Sequence, residues 1–385
     1  MNAHKCSFVA PAARPGVTAS LRFARAALVA ALSIAAAAPD LVAQLKPQPK
    51  PNDKTAVQLN QVRGDEITPA QEASVAKGLA WLAQAQGRDG SFGQGGGSGK
   101  HAGITALAGL AFMQAGNLPG RGKYGENVQK CLDFVLASCQ ESGLISSDQS
   151  HGPMYGHGFA TLFLGEVYGM TGDENVKEKL QRAVRLIQKT QNREGGWRYQ
   201  PVPYDADISV TITQVMALRA ARDAGIKVEK DVIDNAIKYV RSCRNPDGGF
   251  SYMANAGGGG GGSGFARTAA GVATLYYAGI HEGEEITAGL AYLKQFTPGK
   301  GTGGAEVEGH YFYGNYYAVQ TMFLAGGDYW ATFYPAIRDQ LIARQARNGG
   351  WSGEAGEDYG AAMALIILQM PNRYLPVYTG KGPGS

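Results

Sequence analysis

The chain has 385 residues, with 36 Lys and Arg against 32 Asp and Glu for a formal charge of +4, and it carries 55 glycines and only four cysteines. Near-balanced charge gives no electrostatic case for a nucleic-acid partner, and so few cysteines do not describe a disulfide-built scaffold. Glycine stands at about twice its usual share. The excess falls in short turns between stretches rich in Ala, Leu, Gln and Lys, which favour helix, so an all-α fold is expected.

In chain order, Arg22 and Arg25 precede the apolar run Ala26 to Ala38, interrupted by Ser33. The run is too short to span a bilayer and ends among small residues, the pattern of an export signal over residues 1–43 cleaved between Ala36 and Ala43. An uncleaved anchor is the competing reading. Cleavage removes Lys5, Arg14, Arg22, Arg25 and Asp40, lowering the net charge to +1, and leaves no integral membrane span. The expected location is the periplasm or the cell exterior. Lys46-Pro47-Gln48-Pro49-Lys50-Pro51 lies in a Pro-rich, extended linker over residues 44–67. Thr68-Pro69 is a helix-start signature. One domain is expected from 68 to 370, then a tail over 371–385 whose end, Gly380 to Ser385, is expected to lack order.

Within that domain one turn recurs: Arg88-Asp89-Gly90-Ser91-Phe92, Gln140-Glu141-Ser142-Gly143-Leu144, Asn192-Arg193-Glu194-Gly195-Gly196-Trp197, Asn245-Pro246-Asp247-Gly248-Gly249-Phe250, Gly301-Thr302-Gly303-Gly304 and Asn348-Gly349-Gly350-Trp351. Marked at Gly90, Gly143, Gly196, Gly249, Gly304 and Gly350, the steps are 53, 53, 53, 55 and 46 residues. Such periodicity is the signature of a repeat architecture. Each repeat reads as helix, turn, helix. Lys179 to Gln191 places Leu180, Ala183, Val184 and Ile187 at helical spacing with charge on the other side, suiting a solvated outer ring. In the third repeat the second helix is Ser209 to Ala224, with Val215, Leu218 and Arg222; the other second helices, at Gly103 to Gly116, Gly158 to Met170, Thr268 to Gly279, Tyr316 to Gly326 and Gly360 to Met370, are small and apolar nearly all round, which implies burial. Six such pairs predict an (α/α)6 toroid. Cys131 and Cys139 are about 12 Å apart along one helical pattern and cannot bridge each other; with Cys243 they read as free, mostly buried thiols.

The glutamines and tryptophans of this pattern, Gln188 and Gln191 to Trp197, Gln345 to Trp351 and Ala80-Trp81-Leu82 to Phe92, resemble the repeats of squalene-hopene cyclases and protein prenyltransferase β subunits. Tyr155-Gly156-His157-Gly158-Phe159-Ala160-Thr161, Phe265-Ala266-Arg267-Thr268-Ala269-Ala270-Gly271 and Tyr313-Gly314-Asn315-Tyr316-Tyr317-Ala318 resemble, more narrowly, the exported prenyltransferase and squalene oxidase repeat proteins. The resemblance covers nearly the whole toroid and is specific for fold more than activity. It implies a funnel suited to an isoprenoid or similar apolar ligand.

Residues just after the turns converge on one mouth of such a toroid, giving the candidate rim His101, His157, Asp205, Asp207, Ser209, Arg267, His310, Tyr313, Asn315, Asp358 and Tyr359. Asp205-Ala206-Asp207-Ile208-Ser209 resembles the cyclase acid motif, which would make Asp207 the proton donor beside Asp205, although Ile208 stands where a further Asp belongs. The alternative is that Asp207 caps the following helix, which favours its ionised form. Arg267 suits a phosphate or carboxylate, or an ion pair with Asp207 or Asp358. The prenyltransferase zinc ligands, Asp-x-Cys and His, have no counterpart at Phe265-Ala266-Arg267 and Phe312-Tyr313-Gly314, and no cofactor or metal is expected. Three classes remain open: a cyclase-like enzyme, a binding toroid without turnover for a ligand or a protein, and a carbohydrate-active toroid using carboxylates and aromatic platforms.

Overall fold

Thr68 starts the first helix with a reciprocal capping box: its hydroxyl accepts the Gln71 backbone N–H and the Gln71 side chain accepts the Thr68 N–H, both at 3.2 Å. The computed structural model describes residues 66–93, 99–147, 152–254, 261–300 and 309–379. The predicted signal, nearly all of the linker, the Gly301-Thr302-Gly303-Gly304 turn, most of the Gly257 to Gly262 run and the end from Gly380 lie outside them.

Twelve helices alternate in two rings. They are α1 (Pro69–Ala85), α2 (Ala102–Gln114), α3 (Gly125–Ala137), α4 (Pro153–Thr171), α5 (Glu174–Thr190) and α6 (Ile208–Asp223). The second half supplies α7 (Lys230–Ser242), α8 (Phe265–Tyr277), α9 (Glu284–Lys294), α10 (Tyr311–Ala325), α11 (Gly327–Arg344) and α12 (Glu357–Leu368). The even helices pack on one another in sequence and α12 packs on α2, closing an inner ring; α1 lies against α11, so the outer ring closes between the last repeat and the first. Every residue of α2 is buried, whereas α5 buries only Val176, Leu180, Ala183, Val184, Ile187 and Thr190 and turns its charges outward. The predicted all-α toroid is the fold, and no strand is formed among the described residues.

The glycine turns set the geometry. Gly90, Gly143, Gly195, Gly248 and Gly349 have φ between +86° and +105°, a region that glycine enters without strain. At Gly195 a Cβ would also run into the Asn235 carbonyl oxygen. The turn is locked from both sides. Gln86, Gln191 and Gln345 each donate through Nε2 to the glycine carbonyl of their own turn and to a carbonyl in the next outer helix, at Asn127, Val232 and Ser74. The Trp197 and Trp351 indoles donate back to Ile187 and Leu341. The turns thus brace the outer ring. Inward, the backbone N–H groups of Phe92, Trp197 and Phe250 donate to Thr105, Thr211 and Thr268 near the starts of α2, α6 and α8, at 3.0 to 3.1 Å.

Two inner helices begin earlier than the apolar pattern indicates, α4 at Pro153 and α10 at Tyr311; proline at the first helical position presets the helical φ. Beyond α12, a single 3-10 turn (Met370–Asn372) leads to the short α13 (Pro376–Thr379), where Leu375, Val377 and Tyr378 are buried. Cys131, Cys139 and Cys243 are free thiols, the first and last of them buried. Among the described residues no helix is long and apolar enough to cross a membrane.

Candidate functional site

At the end where the inner helices start, a cavity of about 750 Å3 opens. Ile104, Leu107, Ala266 and the Phe159 ring give it apolar walls, and five tyrosines, Tyr155, Tyr199, Tyr252, Tyr313 and Tyr359, face it. His101, Ser209, Arg267, His310 and Glu354 supply its polar groups. This is the character of a small-molecule site, a mostly apolar hollow with a few converging polar groups.

Each polar group is held by the start of a helix. His101 caps α2, its Nδ1 accepting from Gly103 at 3.1 Å and Ile104 at 3.3 Å. Glu354 accepts the backbone N–H groups of Tyr313 at 3.0 Å and Phe312 at 3.4 Å, placing an anion at the positive end of α10, and takes the Tyr359 hydroxyl at 3.4 Å. Tyr313 reaches across to α6, where its hydroxyl donates to the Ser209 carbonyl at 2.8 Å. Its ring meets Tyr155 edge-on, with centroids 6.3 Å apart. Burial pushes the Tyr155 and Tyr313 hydroxyls well above the usual phenol range, so both remain neutral donors. Arg267, in the first turn of α8, donates to the Ser263 carbonyl at 3.4 Å and makes no ion pair among the described residues, neither with Asp207 nor with Asp358. His310 stands exposed at the N-cap of α10.

The predicted rim divides in two. His101, Ser209, Arg267, His310, Tyr313 and Tyr359 line the cavity; Asp205, Asp207, His157, Asn315 and Asp358 do not. Asp207 caps α6, its Oδ1 accepting the Val210 N–H at 2.9 Å. It is fully buried, and its Oδ2 has no hydrogen-bond partner. The Arg198 Nε lies 3.6 Å from that oxygen, while Arg198 NH1 grips Asp205 at 2.5 Å. Burial pushes the Asp207 carboxyl up to about 6, against the opposing pull of the Val210 N–H, the Tyr252 hydroxyl and Arg198. Two of the cavity's tyrosines, Tyr252 and Tyr199, adjoin the same arginine: their hydroxyls share a hydrogen bond and their rings lie beside the Arg198 guanidinium, 5.9 and 5.0 Å from their centroids.

The other three are set back. Because α4 begins at Pro153, His157 sits a turn inside the helix, fully buried, with Nδ1 accepting the Ile145 N–H at 3.1 Å; burial lowers it to about 4 and keeps it neutral. Asn315 is likewise inside α10 and donates to the Tyr311 carbonyl at 2.9 Å. Asp358 accepts the Gly93 N–H at 2.7 Å, joining the sixth repeat to the first; burial raises its carboxyl. Among the described residues no three or more His, Cys, Asp or Glu side chains are grouped to hold a metal ion. The residues missed from sequence are Tyr199, Tyr252 and Glu354, all between a turn and its inner helix, and Tyr155 on the first turn of α4.

The family model for the prenyltransferase α/α toroid domain matches residues 55–175, and that for the squalene-hopene cyclase C-terminal domain matches residues 160–309. No curated protein matches the chain in sequence. Among solved structures, an inactive variant of the GH76A α-1,6-mannanase of Salegentibacter sp. HEL1_6 in complex with α-1,6-mannotriose is similar at a TM-score of 0.60 and 10% identity, covering 79% of this chain and 99% of that one. The type II terpene cyclase MstE from Scytonema, bound to geranylgeranyl dihydroxybenzoate, is similar at a TM-score of 0.53 and 14% identity, covering 80% and 98%. A protein from Actinoplanes is similar at 0.56 and 15%, covering 79% and 99%. At such identities the likeness is one of fold. Taken with the two partial family matches, it shows this chain to have the α/α-toroid fold and to be similar, over residues 55–309, to prenyltransferase toroid and squalene-hopene cyclase C-terminal domains.

Proposed function

We propose that this toroid binds an apolar, isoprenoid-like molecule in the 750 Å3 cavity, with its body among Ile104, Leu107, Phe159 and the tyrosine rings and its polar end toward Arg267 and His310. The observation that carries this reading is the position of Asp207. An acid that starts a cyclisation must touch the carbon it protonates, and Asp207 is fully buried outside the cavity lining with one oxygen committed to Val210. Arg198 beside it further favours the carboxylate. The geometry supports binding better than turnover, and Asp205 and Asp207 act as one structural unit with Arg198. Terpene cyclase MstE, bound to an isoprenoid-bearing substrate, supports the ligand class.

A carbohydrate reading has one observation in its favour: five tyrosines and the Glu354 carboxylate line the same hollow, and the mannanase of the same fold is complexed with mannotriose. Glycoside hydrolysis uses a pair of carboxylates, and among the described lining residues Glu354 is the single one. We place the protein outside the cytoplasm, with residues 1–43 as a cleaved signal, 44–67 as a linker and 68–370 as the toroid.

Titration with farnesol and with mannotriose, followed by tyrosine and tryptophan fluorescence and by mass spectrometry of the recovered ligand, tests the reading. Saturable binding of farnesol, recovered unchanged, is expected, with Asp207→Asn binding equally well. Mannotriose binding alone overturns the ligand class. Conversion of farnesol by the wild type but not by Asp207→Asn restores Asp207 as an acid. N-terminal sequencing of the exported protein should find a start between residues 37 and 44; an intact Met1 there would refute cleavage.

A further inference from the structure

An inner ring of six helices leaves a bore, and something must close it below the cavity. Phe159 lines the cavity and meets Tyr316 edge-on, with ring centroids 5.9 Å apart. Tyr316 is fully buried, and its hydroxyl shares a hydrogen bond of 3.1 Å with that of Tyr378. Tyr378 belongs to no repeat. It lies on α13, after the last inner helix, so two rings separate the cavity from the end of the described chain.

The segment carrying Tyr378 enters from the end where the inner helices finish. Its approach is fixed to the C-terminal part of α2: Gln369 Nε2 donates to the Ala111 carbonyl at 3.0 Å and Asn372 Nδ2 to the Gln114 carbonyl at 2.9 Å. Its tip is fixed to α4, where the Val377 N–H donates to Glu166 Oε1 at 3.3 Å. Leu375, Val377 and Tyr378 are at most 2% exposed, a burial proper to a core and not to a trailing end. Glu166 is an acid within an otherwise apolar stretch of α4, and its second oxygen has no hydrogen-bond partner. Burial pushes its carboxyl up to about 8, so at neutral pH an uncharged acid receives the segment.

We infer that residues 375–379 are the floor of the ligand cavity and that Tyr378, acting through Tyr316 and Phe159, sets the length of apolar chain the cavity accepts. The inference rests on the reading that the cavity takes an apolar ligand. Removing the Tyr378 ring frees Tyr316 of its hydroxyl partner and opens space beneath it, which lengthens the hollow without touching its mouth.

The test is a titration of the full-length protein with straight-chain fatty acids from octanoate to eicosanoate. In the wild type, affinity should rise by roughly fourfold per methylene and then break off at a limiting length. Tyr378→Ala should keep the octanoate affinity and move the break to longer acids, each further methylene again adding roughly fourfold. Tyr378→Phe keeps the ring and should keep the wild-type break. Should Tyr378→Ala lose its cooperative helical melt, Tyr316→Ala opens the same space from above and must show the shift. An unmoved break in a folded variant overturns the floor assignment and leaves the binding reading standing. A wild type that binds none of the series overturns both.

Discussion

The Gln345 side chain of the sixth repeat donates through Nε2 to the Ser74 carbonyl of the first at 2.9 Å, and accepts the Ser74 hydroxyl at the same distance through Oε1. The glutamine brace that elsewhere joins neighbours in sequence here joins the ends of the toroid. Gln345→Ala should cost roughly 2 kcal/mol in urea unfolding, with faster hydrogen exchange concentrated in α1. Uniform exchange through all helices would show that ring closure does not depend on this contact.

Gly195→Ala tests the turn. The residue has φ +100° and a Cβ there would meet the Asn235 carbonyl, whereas Gly172, at φ +69°, has open space around it. Gly172→Ala should cost ~1–2 kcal/mol from the left-handed backbone alone. The Gly195 variant should cost at least twice as much, since the next outer helix must also move. Equal melting temperatures would remove the steric argument.

Glu166 should make the toroid less stable as pH rises. Its carboxyl ionises near 4.5 in an unfolded chain and near 8 in the folded one, so between those values the folded state holds the extra proton. Stability is greatest below 4.5, falls through the window by at most about 1.4 kcal/mol per pH unit, and is level above 8. Glu166→Gln, which keeps an acceptor for Val377, should flatten that slope in chemical denaturation across the pH range. An unchanged slope would assign the dependence to another group.

His157 acts in the opposite sense. Held near 4 in the fold against 6.5 when free, it forces unfolding to take up a proton as pH falls from 6.5 to 4, and stability declines over that window. His157→Gln should weaken the decline, and imidazole NMR resonances should show the neutral ring persisting below pH 6.5. A charged ring at pH 6 would contradict its buried acceptor role toward Ile145.

The toroid was legible because its determinants are local and repeated: a left-handed glycine, a glutamine before it and an aromatic after it. The register within the turn was less so. Where two glycines adjoin, the first holds the positive φ, so Gly195, Gly248 and Gly349 correspond to Gly90 and Gly143. At the rim, Arg267 and Tyr359 could be placed from sequence because both sit in the first turn of their helices. His157 and Asn315 could not, since Pro153 and Tyr311 start those helices a turn sooner and carry both side chains inward. Tyr199 and Tyr252 stand one 53-residue repeat apart, but they and Glu354 lie in irregular links, where no helical spacing gives the direction of a side chain. Glu166 had a signal, a lone acid in the apolar stretch Gly158 to Met170, whose meaning depends on a segment some two hundred residues later that only the fold brings to it.

Residues 375–379 have a consequence for how the molecule is made. A chain synthesised from its N-terminus can pair helices as they emerge, yet the inner ring needs α12 and the bore needs Tyr378. Until almost the last described residue has been added, the nascent protein is an open arc with its apolar inner faces uncovered. Completion therefore waits for residues 375–379, and the open arc that precedes it is the form exposed to chaperones and proteases.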